Sequence, residues 1–263
     1  MPQVPSVPET HRFEAPPHWR AIDFISDLHL DAEHPKTFEA FGRVLLGTPA
    51  DAVFLLGDIF EAWVGDDARF EGFERQGAAV LKSAARQRCV GFMAGNRDFL
   101  VGEALLADCG VQRLHDPTLL HAFGHSALLT HGDALCLADT EYMRFRAMVR
   151  DAAWQRSFLA RPLAERQAVA RQLRDASEAA KARQSPADWV DVDTAAAVEW
   201  LRAAGTAKMV HGHTHQPGTR PLAPGFERHV LSDWDLDART PRAEVLRLTS
   251  AGLARLTPDQ ALA

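Results

Sequence analysis

Short apolar runs recur along the chain, and each gives way at once to polar residues. Ala21-Ile22-Asp23-Phe24-Ile25 leads into Ser26-Asp27-Leu28-His29, and Ala52-Val53-Phe54-Leu55-Leu56 into Gly57-Asp58. Cys89-Val90-Gly91-Phe92-Met93 leads to Gly95-Asn96-Arg97-Asp98, and Ala127-Leu128-Leu129-Thr130 to His131-Gly132-Asp133. A fifth run, Ala207-Lys208-Met209-Val210, ends in His211-Gly212-His213-Thr214-His215. Runs of this length predict buried strands. Between them Phe38, Phe41 and Leu45, then Val80, Leu81 and Ala84, recur at helical spacing and predict helices packed on a sheet. In layered α/β architectures ligands gather where strands end, so five such loops can converge on one site.

The remaining pattern fills in the frame. His121-Ala122-Phe123-Gly124-His125 between two apolar runs predicts a hairpin, with His125 in no more than a turn role. Thr194 to Ala204 predicts a helix closed by Gly205. Val230-Leu231 and Val245-Leu246-Arg247-Leu248 read as late strands, and residues past Pro258 as a frayed end.

Length and composition narrow the classes. The 263 residues suffice for one large core with an inserted subdomain, and 46% apolar content is ordinary for a globular chain. A net charge of -6 argues against nucleic acid as the main partner. No window approaches the roughly 18 unbroken apolar residues of a membrane span. Residues 1–18 carry Pro2, Pro5, Pro8, Pro16 and Pro17 and predict a disordered lead, not a signal peptide. Cys89, Cys109 and Cys136 are odd in number and widely spaced, which fits reduced, mostly buried thiols and a cytoplasmic location.

The loops carry the candidate chemistry. Asp27 or Asp58 viewed singly is as well explained as a helix cap, and Asn96 as a cap or turn. Jointly, the five loops would gather seven oxygen and imidazole donors, costly neighbours without cations between them. A two-cation site resolves the conflict: mixed oxygen and nitrogen ligands, one bridging carboxylate and ions about 3.5–4 Å apart suit displacement at phosphorus.

Asp27-Leu28-His29, Gly57-Asp58, Gly95-Asn96-Arg97-Asp98, His131-Gly132-Asp133 and Gly212-His213-Thr214-His215 together resemble the calcineurin-like metallophosphoesterase signature, in order. More narrowly, Ser26-Asp27-Leu28-His29-Leu30, Gly57 to Asp67 with its Phe60-Glu61-Ala62-Trp63 block, and Gly95 to Leu100 are similar to the UDP-2,3-diacylglucosamine hydrolases of lipid A biosynthesis. The likeness covers about residues 20 to 217 and thins beyond, where Leu231-Ser232-Asp233-Trp234-Asp235 matches loosely. It implies a four-layer α/β fold, two facing β-sheets flanked by helices, with an inserted helical lid. It implies that Asp27, His29 and His215 hold one metal and Asn96, His131 and His213 the other, with Asp58 bridging. The family's usual metal is manganese, although this donor set also accepts zinc or iron. Arg97 would clamp phosphate through its guanidinium fork, the alternative being a salt bridge with Asp98. Asp66 and Asp67 either orient ligands or solvate a turn.

Thr140 to Gln184 differs in kind: ten Arg or Lys stand against five Asp or Glu, a local +5 in a chain of -6. Phe145, Met148, Trp154, Phe158 and Leu159 interleave with those bases, a composition suited to an anionic membrane surface or equally to a helical cap on the core. The resemblance favours a lid that sandwiches a two-chain lipid, and gives Asp139, Ser177, Lys181 and Gln184, with Asn96, Arg97 and His213, as substrate contacts. Gln184 stands where a Lys is often found, and Leu137 where a Thr is. The expected division is a lead over 1–18, a core over 19–138 and 190–258, and a lid over 139–189. The expected reaction is hydrolysis of UDP-2,3-diacylglucosamine to UMP and 2,3-diacylglucosamine 1-phosphate, with Asn96 and Arg97 catalytic and a metal-activated hydroxide attacking the uridine-side phosphorus. It is expected on the cytoplasmic face of the inner membrane, without nucleic acid or an obligate protein partner. A soluble nucleotide or pyrophosphate substrate is the alternative, and a metal-free scaffold a third class that has no need of the seven donors.

Overall fold

The computed structural model describes residues 7–181 and 190–263, with the helical backbone alone over 176–181. Twelve strands build two six-stranded sheets. The first sheet runs β12 (Gly252–Leu256), β11 (Val245–Thr249), β2 (Ile22–Ile25), β3 (Ala52–Leu56), β4 (Cys89–Met93), β5 (Gln112–Arg113). The second runs β1 (His11–Glu14), β6 (Thr118–Ala122), β7 (His125–Leu129), β8 (Lys208–His211), β10 (Phe226–Val230), β9 (Gly218–Ala223). Strands β2, β3 and β4 pair in parallel, as do β7, β8 and β10, so within each sheet their C-terminal ends lie side by side.

Alternation along the strands sorts the core into layers. Ile22, Phe24, Phe54 and Leu56 meet Leu120, Leu129 and Val210 between the sheets. Their neighbours Ile25, Val53, Leu55 and Phe92 face the other way, onto α1 (Pro35–Gly47), α2 (Gly72–Ala85) and α3 (Glu103–Cys109). On the far side Leu119, Leu128 and Met209 pack on α7 (Thr194–Ala204). The architecture is therefore helix, sheet, sheet, helix. Helix α7 begins on an Asp193 cap that accepts from Ala196 N and ends on left-handed Gly205, as its sequence predicts.

Two expectations about the ends are corrected. Within the lead expected to be disordered, residues 11–14 form β1, which pairs with β6 because Phe13 has an apolar place to go: its ring meets Phe54 edge-on at 5.0 Å. Past Pro258 the chain is not frayed. Thr257 and Gln260 form a reciprocal capping box on α8 (Pro258–Ala261), Ala261 is buried, and Arg247 Nη2 donates to its carbonyl at 2.7 Å.

The basic stretch is helical where described: α4 (Thr140–Val149), α5 (Ala152–Leu159) and α6 (Leu163–Lys181). Trp154 stacks on Phe158 at 5.0 Å and approaches Phe99 at 6.2 Å, so α5 rests on the loop after β4. Arg166, buried in α6, donates to Val64 O at 2.5 Å and pairs with Asp67.

Candidate metal centre

Five loops leave the C-terminal ends of β2, β3, β4, β7 and β8 and interlock through their backbones. Asp27 N donates to Gly57 O and His29 N to Asp58 O, both at 3.0 Å, while Gly212 N donates to His131 O at 3.0 Å. The two sheets are stitched together by Asp27, whose carboxylate accepts His213 N at 2.9 and 3.0 Å. Glycine is required at the closest approaches: a Cβ on Gly95 would overlap the Asp58 carboxylate and backbone, and one on Gly212 would overlap Asp27 and Ser26. Asp27, His29, Asp58, His213 and His215 all hold left-handed backbones, with φ between 49° and 65°.

The side chains fall into two groups. Ligand atoms of Asp27, His29 and His215 lie within 4.8 Å of one another, as do those of Asp58, His131 and His213. His29 Nε2 is 3.3 Å from His215 Nε2, and His215 Nε2 is 3.5 Å from Asp27 Oδ1. Asn96 Oδ1 joins the second group, 2.8 Å from His213 Nδ1 and 3.0 Å from His131 Nε2. Asp58 sits between the groups: Oδ2 is 3.9 Å from His29 Nε2 and Oδ1 is 3.6 Å from His131 Nε2. His131 Nδ1 donates to Leu56 O at 2.9 Å, which turns Nε2 toward Asn96 and Asp58.

The electrostatics are those of a crowded, dry cluster. Burial disfavours the Asp27 carboxylate, yet its hydrogen bond and proximity to His215, with His131 and His29 nearby, hold it well below the usual range. Burial disfavours the His131 imidazolium too, but Asp58, Asp27 and Asp133 push it up to about 9. Burial, reinforced by His131, drives His213 down to about 4. Burial and then the Asp58 charge raise Asp98 to about 6. Opposed shifts among touching groups are the mark of a functional site. The donor set fits divalent cations: oxygen and imidazole nitrogen are mixed, and the Asp58 carboxylate lies between the two groups of donors.

Other residues singled out from the sequence find varied places. Arg97 Nη1 is 3.1 Å from Glu61 Oε1. Asp98 takes Gly95 N at 2.7 Å and Ile59 N at 2.8 Å, so it braces the loops of Asp58 and Asn96. Asp66 accepts from Trp63 Nε1, Gly102 N and Leu105 N, fixing the start of α3, and Asp67 pairs with Arg166. Asp139 caps α4 through Tyr142 N at 2.9 Å. Ser177 and Lys181 fall in the last turns of α6, and Gln184 lies outside the described residues.

Five residues near the site had no role assigned from the sequence. Asp133, fully buried, accepts Tyr142 Oη at 2.6 Å and Arg146 Nε at 2.8 Å, and Arg150 Nη2 donates to Gly95 O at 2.8 Å. Tyr142, Arg146 and Arg150 stand four residues apart, a stripe of donors on one helical face that the sequence does display. Glu61 is the fifth, with partners remote in sequence.

No family model matches the chain. Similar proteins are found among curated sequences. The UDP-2,3-diacylglucosamine hydrolase of Xanthomonas oryzae pv. oryzae (strain PXO99A) is 41% identical over 242 residues, 88% of this chain and 96% of that protein. That of Ralstonia nicotianae is 44% identical over 238 residues, covering 86% and 88%, and that of Chromobacterium violaceum 43% over 216 residues, covering 81% and 90%.

Proposed function

The chain belongs to the UDP-2,3-diacylglucosamine hydrolase family, and from that premise we propose that it cleaves the pyrophosphate of UDP-2,3-diacylglucosamine in lipid A biosynthesis, releasing UMP and 2,3-diacylglucosamine 1-phosphate. The observation that carries this reading is the pair of donor groups on either side of the Asp58 carboxylate. Asp27, His29 and His215 would hold one divalent ion and Asn96, His131 and His213 the other, with Asp58 shared and manganese the expected metal. When bound, the ions supply charge neutralisation at phosphorus and a water of lowered pKa.

The chain's own residues do the rest. Arg97, next to Asn96, holds a phosphate oxygen with its planar fork and takes up charge as the sugar phosphate departs. Asn96 and His213 orient the same group. Residues 139–189 are assigned as a lid on the core of 19–138 and 190–258, with Asp139, Ser177, Lys181 and Gln184 as its contacts to the lipid-linked sugar. Met148, Leu159 and Leu173, 48%, 41% and 47% exposed among arginines, suit the headgroup boundary of an anionic membrane. Among the described residues no helix is long and apolar enough to cross a membrane. Peripheral attachment at the cytoplasmic face of the inner membrane is the location we propose.

Both possible cleavages of the pyrophosphate yield UMP, so isotope position is the decisive readout. In ¹⁸O-labelled water with Mn²⁺, the heavy atom should enter UMP and be absent from the diacylglucosamine phosphate. Label in the lipid product would reverse the substrate across the site and remove the role given to Arg97. Equal kcat/KM for a UDP-sugar without acyl chains would replace the lipid substrate by a soluble one.

A further inference from the structure

The Phe60-Glu61-Ala62-Trp63 block contains one polar side chain, and the core accounts for its aromatic members. Phe60 and Trp63 are buried, 4.8 Å apart, and Phe60 closes over Gly77 so tightly that a Cβ there would overlap its ring. Glu61 is placed differently. Leu30 and Phe60 form a parallel bridge, Leu30 N donates to Ile59 O at 2.9 Å and Glu61 N to Leu30 O at 3.1 Å. This short pairing beyond the strand ends sets Glu61 beside His29.

Its side chain, 13% exposed, then meets three basic groups from three parts of the chain. Oε2 is 3.0 Å from His29 Nδ1, off the ring's N–H direction. Oε1 is 3.1 Å from Arg97 Nη1 and 3.6 Å from Arg174 Nε of α6. Arg174 Nη1 also reaches Asp31 Oδ2 at 3.2 Å, two residues beyond His29. An exposed ion pair would be worth little, but this one is sheltered and touches the imidazole face opposite the ligand nitrogen.

We propose that Glu61 is a positioning residue that ties helix α6 to the His29 metal site, one oxygen orienting the imidazole and the other receiving Arg97 and Arg174. Metal loading and the placement of α6 are thereby coupled, and the coupling is reciprocal. The inference rests on the two-metal reading above. The Glu61 charge 3.0 Å from Nδ1 favours the tautomer that keeps its proton there and leaves Nε2 for the ion, and loss of such a partner typically costs about 10- to 100-fold in metal affinity.

The test compares the full chain with Glu61→Ala, Glu61→Gln and Arg174→Gln. Calorimetric titration with Mn²⁺ should show one of two binding steps weakened about 10-fold or more in Glu61→Ala, less in Glu61→Gln, and the other step within about 3-fold. Hydrogen exchange supplies a readout independent of turnover. Mn²⁺ should slow exchange in the turn of α6 around Arg174 in the wild type, and that response should be lost in Glu61→Ala and Arg174→Gln. Wild-type affinity at both steps in Glu61→Ala, or an undiminished α6 response in either variant, overturns the proposal. Should Glu61→Ala not fold, the near-isosteric Glu61→Gln decides alone: an unchanged Mn²⁺ titration overturns it, a weakened step supports it. A wild type that binds no second Mn²⁺ removes the two-metal reading itself, a result seen before any variant is made.

Discussion

Asp27, His29, Asp58, His213 and His215 are non-glycine residues with left-handed backbones. Each such residue costs of order 1–3 kcal/mol, against a net stability of about 5–15 kcal/mol for a typical domain. The strain persists because the loops overdetermine it: Asp98 braces the turns at Ile59 and Gly95, and Asp58 Oδ1 accepts Arg97 N at 2.8 Å. Gly95→Ala should therefore be severe, since the overlap falls on the backbone of Asp58 and not only on a side chain that can move. A loss of about 1–3 kcal/mol or more, with weakened Mn²⁺ binding, is expected from thermal unfolding and titration. Gly42→Ala, in α1 with open space around it, should instead gain about 0.5–1 kcal/mol. Equal effects at the two sites would sink the argument from close approach. The donors themselves were legible in the sequence because each directly follows an apolar run. The bracing role of Asp98 was not legible: a salt bridge with Arg97 stood only as the alternative to a phosphate clamp, and the partners Asp98 takes are backbone N–H groups across the loop.

Helices α4, α5 and α6 illustrate what composition reveals about an element and what it hides. Their basic, aromatic character is visible in sequence, but their anchoring is not, because it depends on partners far along the chain. Tyr142 and Arg146 satisfy Asp133, Arg150 reaches Gly95 O, and Arg166 reaches Val64 O. Excising 140–184 would strip the Asp133 carboxylate, two residues from His131, of Tyr142 and Arg146, so deletion cannot separate lipid selection from integrity of the site. Surface changes can. Met148→Ser, Leu159→Ser and Leu173→Ser combined remove three exposed apolar groups, each able to contribute about 1 kcal/mol or more on burial in an interface. Co-sedimentation with anionic vesicles should fall at least about 10-fold, with the melting temperature unchanged. Undiminished vesicle binding would place the membrane-facing surface elsewhere.

At the scale of the whole molecule, the site joins the two sheets at one edge: β2, β3 and β4 supply Asp27, His29, Asp58 and Asn96, while β7 and β8 supply His131, His213 and His215. Five converging strand ends were readable from pattern, but strand order was not, since β1, β5, β9 and β12 are short or polar and owe their places to tertiary pairing. Cations bound across that edge would add a link that the unfolded chain lacks, and each site filled at 100 times its Kd adds about 2.7 kcal/mol. His131 makes this link depend on pH. In the metal-free protein its folded pKa, about 9, lies above the ordinary histidine value of 6.5, so its contribution is full below 6.5 and fades as pH rises toward 9. Metal binding needs the neutral ring, so the proton lost in that interval is one the ion must otherwise displace, and affinity rises with pH. The metal-free melting temperature should consequently fall between pH 6.5 and 8.5 while the stabilisation by a fixed Mn²⁺ concentration grows. Differential scanning calorimetry with chelator or Mn²⁺ across that range measures both, and a gap that stays constant or narrows would show that His131 carries no proton for the metal to displace.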